Sequence, residues 1–432
     1  MSPSPKDSSP VTRHLPSELP LHLSRSRLLV YPFSAREMSL HEDFPFHFGI
    51  EEEFFVGHQK SRNVTTKVPT KFIEKAKREL GENVVEHELL QCQVELVSPI
   101  LESMEAGRAH LNDTRTRLSQ IAASQGLTVI AAGTHPLATW TEQEITDDAR
   151  YTEVLQGFQI LGRRNLLCGL HIHVAIPEGL DRVQLMNRAM RWLPLFLGFS
   201  TSSPFWNRHR TGLLSYRQSA FDEWPRSGIP DFFSSELQYG EFASRLVSGG
   251  AMKDASYLWW AIRPSLHYPT LELRIADACT HADDSIALAC LYRALIAYLV
   301  RNPDQGKDWT AITRRVVDEN RWRAKRYGIR AQFIDDRSGE LIPFGDFYRR
   351  TRTLVIEDAR RLGCTSAFDR LDHVLRNGTS AHQQLAVYAE KRKAGLGRVA
   401  ALKHVVDWLA HSTASMNPEA DSPVVQSYEQ AR

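Results

Sequence analysis

The chain has 432 residues, 42% of them apolar and 24% charged, with 53 basic against 51 acidic side chains. This composition suits a soluble globular protein of one large or two ordinary domains, and the balanced charge gives no reason to expect a nucleic acid as partner. Five cysteines without a C-x-x-C pair argue against a disulfide framework and fit a reducing compartment, and no apolar run reaches the roughly 18 residues of a membrane span.

Residues 1–40, rich in Ser, Pro and Arg and without periodicity, read as a flexible tail with no signal-peptide core. The segment Phe46 to Val56 alternates. Phe48, Ile50, Glu52 and Phe54 share one face of a strand, and Gly49, Glu51 and Glu53 share the other. Two carboxylates on one strand face lie within about 7 Å and repel unless a cation sits between them or one is protonated. A divalent metal resolves that conflict, and hard oxygens suit Mg²⁺ or Mn²⁺. An exposed acidic strand is the competing reading.

Thr70 to Leu80 predicts a helix, and Val84 to Val97 a pair of strands carrying Glu86, Glu88 and Glu95. Glu102 to Gln125 predicts a long helix with Arg108, Arg115 and Arg117 on its wetter side, closed by Gly126. A short strand from Leu127 leads to Gly133-Thr134-His135-Pro136, either a cleft lip or a structural corner. A helix from Asp147 to Leu161 follows, with Arg150 and Tyr151 near its start. In the strand from Asn165 to Pro177, His171 and His173 share a face beside Gly169, which lets a neighbouring group approach closely.

Asp181 to Gly198 predicts a helix capped by Asp181 and interrupted at Pro194. Ser200 to Tyr216 reads as a long ordered loop dense in cations and suited to anions. Leu258 to Pro264 and Thr270 to Asp277 predict neighbouring antiparallel strands, the second placing Glu272 and Arg274 on one face. Helices are expected over Asp283 to Val300, Trp309 to Asn320, Phe347 to Leu362, Ala381 to Ala394 and Val399 to Trp408. The basic run Glu319 to Gly328 either reaches a phosphate or is a solvated helix end.

Acidic, histidine and arginine faces on several strands suit a chemistry in which two or more cations neutralise a nucleotide triphosphate while arginines stabilise the phosphoryl group in flight. A two-metal hydrolase would use similar ligands. The stretches Phe48 to Phe54, Val94 to Pro99, Gly169 to Val174, Ser203 to Trp206, Ile262 to Ser265 and Thr270 to Asp277, in this order, resemble the glutamate–cysteine ligase type 2 family, the YbdK-like carboxylate–amine ligases of the glutamine synthetase-like superfamily.

The resemblance runs from about Phe46 to Leu409. It implies an α+β, glutamine synthetase-like catalytic fold: a curved, mainly antiparallel sheet funnel with surrounding helices, in a single domain over 41–411 followed by a flexible tail over 412–432. It implies ATP, Mg²⁺ or Mn²⁺, amino acid and amine substrates, and a cytoplasmic homo-oligomer, with a dimer expected. By this likeness Glu51, Glu53, Glu88, Glu95, His171 and Glu272 would hold metal, and His173 and Arg274 would meet the nucleotide. Arg274 with Arg263 would stabilise the transferring phosphoryl, and Arg210 or Arg217 would take the α-carboxylate of a glutamate substrate. A catalytically divergent relative acting as a binding or regulatory protein is the remaining alternative.

Overall fold

The computed structural model describes residues 43–308 and 310–415. The N-terminal tail expected over 1–40, Trp309, and all but the first residues of the expected C-terminal tail lie outside them. The last helix, Arg398–Ala414, runs a turn and a half beyond the expected Trp408.

The alternation read in the sequence becomes a seven-stranded antiparallel sheet. Its strands are β1 (Phe48–His58), β2 (Val85–His87), β3 (Gln93–Val97), β4 (Leu127–Ile130), β5 (Gly169–Ala175), β6 (Ile262–Pro264) and β7 (Thr270–Asp277). They lie in the order β6-β7-β5-β1-β3-β2, with β4 also paired to β1. The sheet is open: β6 and β2 stand at opposite edges and do not pair, so the expected funnel is replaced by an exposed-edge sheet covered by helices. Pro264, which has no N–H to give a ladder, sits on an edge strand, where it costs no hydrogen bond.

Register turns five separate motifs into one surface. Glu51 stands opposite His171, Gly49 opposite His173, Glu53 opposite Glu95, Glu272 opposite His173, and Arg263 opposite Glu272. On the other face of β1, Phe48, Ile50 and Phe54 enter the core beneath helix Ala282–Arg301 and its neighbours. Glu52 points the same way. Its carboxylate is fully desolvated and answered by Arg115 (Nε–Oε2 2.9 Å, Nη2–Oε1 2.6 Å) and by the Ser285 hydroxyl at 2.6 Å. Arg115 is therefore buried, not on the wetter side of its helix; its remaining donors reach the carbonyls of Cys279 and Thr280. Arg293, the charge that interrupts the apolar helix, likewise ends on the carbonyls of Pro45, Phe46 and Glu102.

Other elements sharpen or correct the sequence reading. The cation-rich stretch after Ser200 is not an open loop. It contains a hairpin, Phe205–Trp206 with His209–Arg210, whose two turn residues Asn207 and Arg208 both have positive φ (47° and 65°), as a type I′ turn demands. Helices Tyr216–Phe221, Glu236–Ser248 and Ala367–Asn377 have no counterpart in the sequence reading. Glu236–Ser248 buries only Tyr239 and Ala243, so its apolar periodicity is faint. The basic run near Glu319 belongs to helix Ala311–Tyr327, where Arg321 and Lys325 both pair with Asp222 and Arg323 pairs with Glu319. All five cysteines are buried and free. No helix among the described residues is long and apolar enough to cross a membrane.

Candidate active site

The polar face of the sheet forms the floor of a cavity of about 270 Å³ lined by Glu51, Glu53, Glu88, Glu95, His171, Arg217, Arg263 and Arg274. Among the described residues, three sets of side chains bring ligand atoms within 4.8 Å of one another: Glu51, Glu95 and His171; Glu51, His173 and Glu272; and Glu53, Glu88 and Glu95. Glu51 and Glu95 each belong to two sets, so the three are contiguous.

Glu51 is the junction. One oxygen lies 3.1 Å from His171 Nδ1 and the other 3.2 Å from His173 Nε2. Burial works to raise its pKa, but the two imidazoles hold the carboxyl well below the usual range. Glu88 and Glu95 behave oppositely. Burial, reinforced by the neighbouring glutamates, pushes Glu88 up to about 8 and Glu95 well above the ordinary carboxylate value. Glu53 accepts the Gly169 N–H at 2.5 Å.

The two histidines diverge as well. Burial and the Arg274 charge lower His171, which favours the neutral ring with a lone pair for a metal. Burial opposes protonation of His173, yet Glu51 and Glu272 raise its pKa, and its Nδ1 pairs with the Thr270 hydroxyl at 2.9 Å. His171 Nε2 and Arg274 Nε are buried without a hydrogen-bonding partner. Buried polar atoms are rarely left so, and both side chains line the cavity. The donor chemistry, carboxylate oxygens with an imidazole, fits hard divalent cations.

Glu272 holds both arginines. Arg263 binds it through Nε at 2.6 Å, and Arg274 Nη1 meets its other oxygen. Burial opposes its ionisation, but Arg274 and Arg263 keep it well below the carboxylate range. Arg263 is itself fixed by the carbonyls of Ser256 and Leu258. Arg217 is buried, donates Nη1 to the Ala276 carbonyl at 3.0 Å, and passes so near Gly169 that a Cβ there would lie 2.7 Å from its Cζ. This is the close approach for which the glycine is needed.

Arg210 is exposed on the hairpin and lines no part of the cavity. The Gly133 to Pro136 corner is structural: His135 is buried, its Nδ1 accepting the N–H groups of Leu137 and Ala138. Asp277, at the end of β7, anchors the floor from beneath by accepting from Ser202 N–H and the hydroxyls of Ser203 and Ser215. The sequence reading assigned no site role to Arg150, Tyr151, Asn165, Phe221, Trp224 and Trp259, which also line the cavity. Arg150, Tyr151, Phe221 and Trp224 come from helices and a turn, Asn165 precedes β5, and Trp259 belongs to the short strand Trp259–Trp260 outside the main sheet, so only the tertiary fold brings them to the cavity.

A family described as glutamate–cysteine ligase family 2 (GCS2) matches residues 47–402. A "Putative glutamate–cysteine ligase 2" of Ectopseudomonas mendocina is 43% identical over 372 residues, 85% of this chain and 96% of that protein. One from Rhodospirillum rubrum under the same description is 39% identical over 383 residues, 88% and 98% of the two chains. Among solved structures, the glutamate–cysteine ligase of Francisella tularensis in complex with AMP superposes with a TM-score of 0.64 at 11% identity, over 88% of this chain and 91% of that one. A bifunctional glutathione synthetase from Pasteurella multocida gives 0.57 at 12% identity, over 89% of this chain and 52% of the other. At such identities the structural likeness speaks for the α+β fold.

Proposed function

Because the chain belongs to glutamate–cysteine ligase family 2, we propose that it is an ATP-dependent carboxylate–amine ligase that forms an amide through an acyl phosphate. The observation that carries this reading is the contiguity of three carboxylate-rich ligand sets with two arginines on one sheet face.

A carboxylate is a poor acyl donor because its leaving group would be oxide. In the proposed sequence a carboxylate oxygen of the substrate, glutamate by family likeness, attacks the γ-phosphorus of ATP and ADP departs. The amine nitrogen then attacks the acyl carbon, the C–O bond to phosphate breaks, and phosphate leaves with the electron pair. The ammonium form of the amine loses two protons overall; one stays on the released hydrogen phosphate and one goes to solvent. Bound Mg²⁺ or Mn²⁺ supplies charge neutralisation at the phosphates.

The chain's own residues do the rest. Glu51, Glu53, Glu88, Glu95, His171 and Glu272 hold the cations. His173, with its raised pKa, donates to a phosphate oxygen. Arg274, whose Nε lacks a partner, turns toward the transferring phosphoryl with Arg263 beside it, as planar donors suited to that group. Arg217, with Nη1 tied to the backbone, offers its remaining edge to the α-carboxylate of the substrate.

The reading carries with it a cytoplasmic, homodimeric enzyme; the buried free thiols support a reducing compartment. It is tested by measuring ADP release and product mass across a matrix of carboxylates and amines with Mg²⁺ and Mn²⁺. ADP that requires both substrates is expected. Hydrolysis of amides without ATP would instead establish a two-metal hydrolase.

A further inference from the structure

One side of the cavity wall is aromatic, and the ligase reading gives it no role. Tyr151, Phe221, Trp224 and Trp259 line it. Trp224 and Trp259 meet edge to face at 5.2 Å, and Phe158 braces both at 5.1 and 5.4 Å. The Arg226 guanidinium lies over Phe158 and Trp259. These rings hold one another in place, so the wall is preformed.

The wall shares the cavity with Arg263 and Arg274 and runs from Arg217 to the strand beside Arg263. Arg217 lies against Gly169 and over the Phe221 ring at 5.7 Å, and Phe221 continues to Trp224 and Trp259. The wall therefore starts at the Gly169 end of β5. Glu51, Arg263 and Arg274 line the cavity, whereas neither Glu272 nor His173 does; His173, of the set with Glu51 and Glu272, lies roughly 13 Å further along β5. There Tyr268, 61% exposed, stands edge-on to His173 at 6.1 Å and offers its own ring for a purine.

Resting on the ligase reading, we propose that the aromatic wall is the acceptor subsite and that it selects an amine with a bulky apolar or aromatic side group. Cysteine's short thiol side chain would leave the facing rings without contact. A large apolar group fills that space, and the rings and the glutamate floor both favour an arriving ammonium. Contacts of this kind discriminate by roughly ten- to two-hundredfold for a single methylene in an apolar pocket.

The experiment holds glutamate and ATP constant and compares phenethylamine, tyramine, phenylalanine and leucine with alanine and cysteine, reading ADP and product mass. The expected result is a kcat/KM at least about tenfold higher for the best bulky amine than for cysteine. Trp259→Ala should bring the two to parity with the KM for ATP unchanged, while Trp259→Phe, which keeps a ring, should retain the preference. A wild-type preference for cysteine or alanine would overturn the proposal and leave the ligase reading intact. So would a Trp259→Ala variant that raises the KM for ATP while preserving selectivity, since the wall would then take the purine. Absence of acceptor-dependent ADP across the panel and the wider amine matrix would overturn the ligase reading and this inference with it.

Discussion

At the scale of single residues, Glu51 carries more than any other side chain in the cavity because it belongs to two ligand sets and contacts both histidines. Glu51→Gln removes the charge but keeps the shape, and is expected to lower kcat by at least about a hundredfold, as loss of a metal's ligand or its support does. Normal turnover in that variant, measured by ADP release, would remove it from the cation sites. Arg274→Lys keeps the charge and loses the planar fork, and a comparable loss in kcat with the fold intact by circular dichroism is expected. That Glu51 and Glu53 share one face, and His171 and His173 another, was legible in the sequence because period-two alternation states which residues share a face; Glu88 follows the end of β2 and came only from the family likeness. The hold of both arginines on Glu272 was not legible, since Arg263 reaches it across strands and β7 carries a register shift between Leu273 and Ala276.

At the scale of elements, β5 and the helix Tyr216–Phe221 are fitted together through a missing side chain. Gly169→Ala would place a Cβ against the Arg217 guanidinium, whose Nη1 is tied to the Ala276 carbonyl. The expected outcome is a raised KM for the carboxylate substrate with the KM for ATP little changed. An unaltered carboxylate KM would show that Arg217 is not its receptor. The sequence suggested a close approach at Gly169 but could not say what approaches, because Arg217 is 48 positions further along the chain. The same strand logic made β1 half legible. The apolar face was plain, but nothing in the alternation gave Glu52 on that face a partner; it is Arg115, which helical periodicity placed toward water. Removing one member of a buried pair leaves an uncompensated charge, so Arg115→Met is expected to cost about 3–5 kcal/mol of stability, measured by denaturant unfolding.

At the scale of the whole molecule, acid should weaken the fold through histidines remote from the cavity. Burial pushes His135 down to about 3 and His382 down to about 4, against 6.5 in the unfolded chain. Above pH 6.5 both states are neutral and nothing is lost. Below it the unfolded chain takes up the protons first, so each histidine subtracts up to about 1.4 kcal/mol of stability per pH unit between 6.5 and 4. His382→Gln should flatten the fall in denaturation midpoint over that window, and an unchanged slope would show that its burial does not govern it.

The crowding of Glu88 and Glu95 has a consequence for selection. Two carboxylates held above their ordinary pKa are folded against their own preference, and Gln at either position should raise the Tm of the metal-free protein. A screen that rewards heat resistance alone would therefore enrich inactive variants at this floor, and a screen that rewards turnover would restore the glutamates.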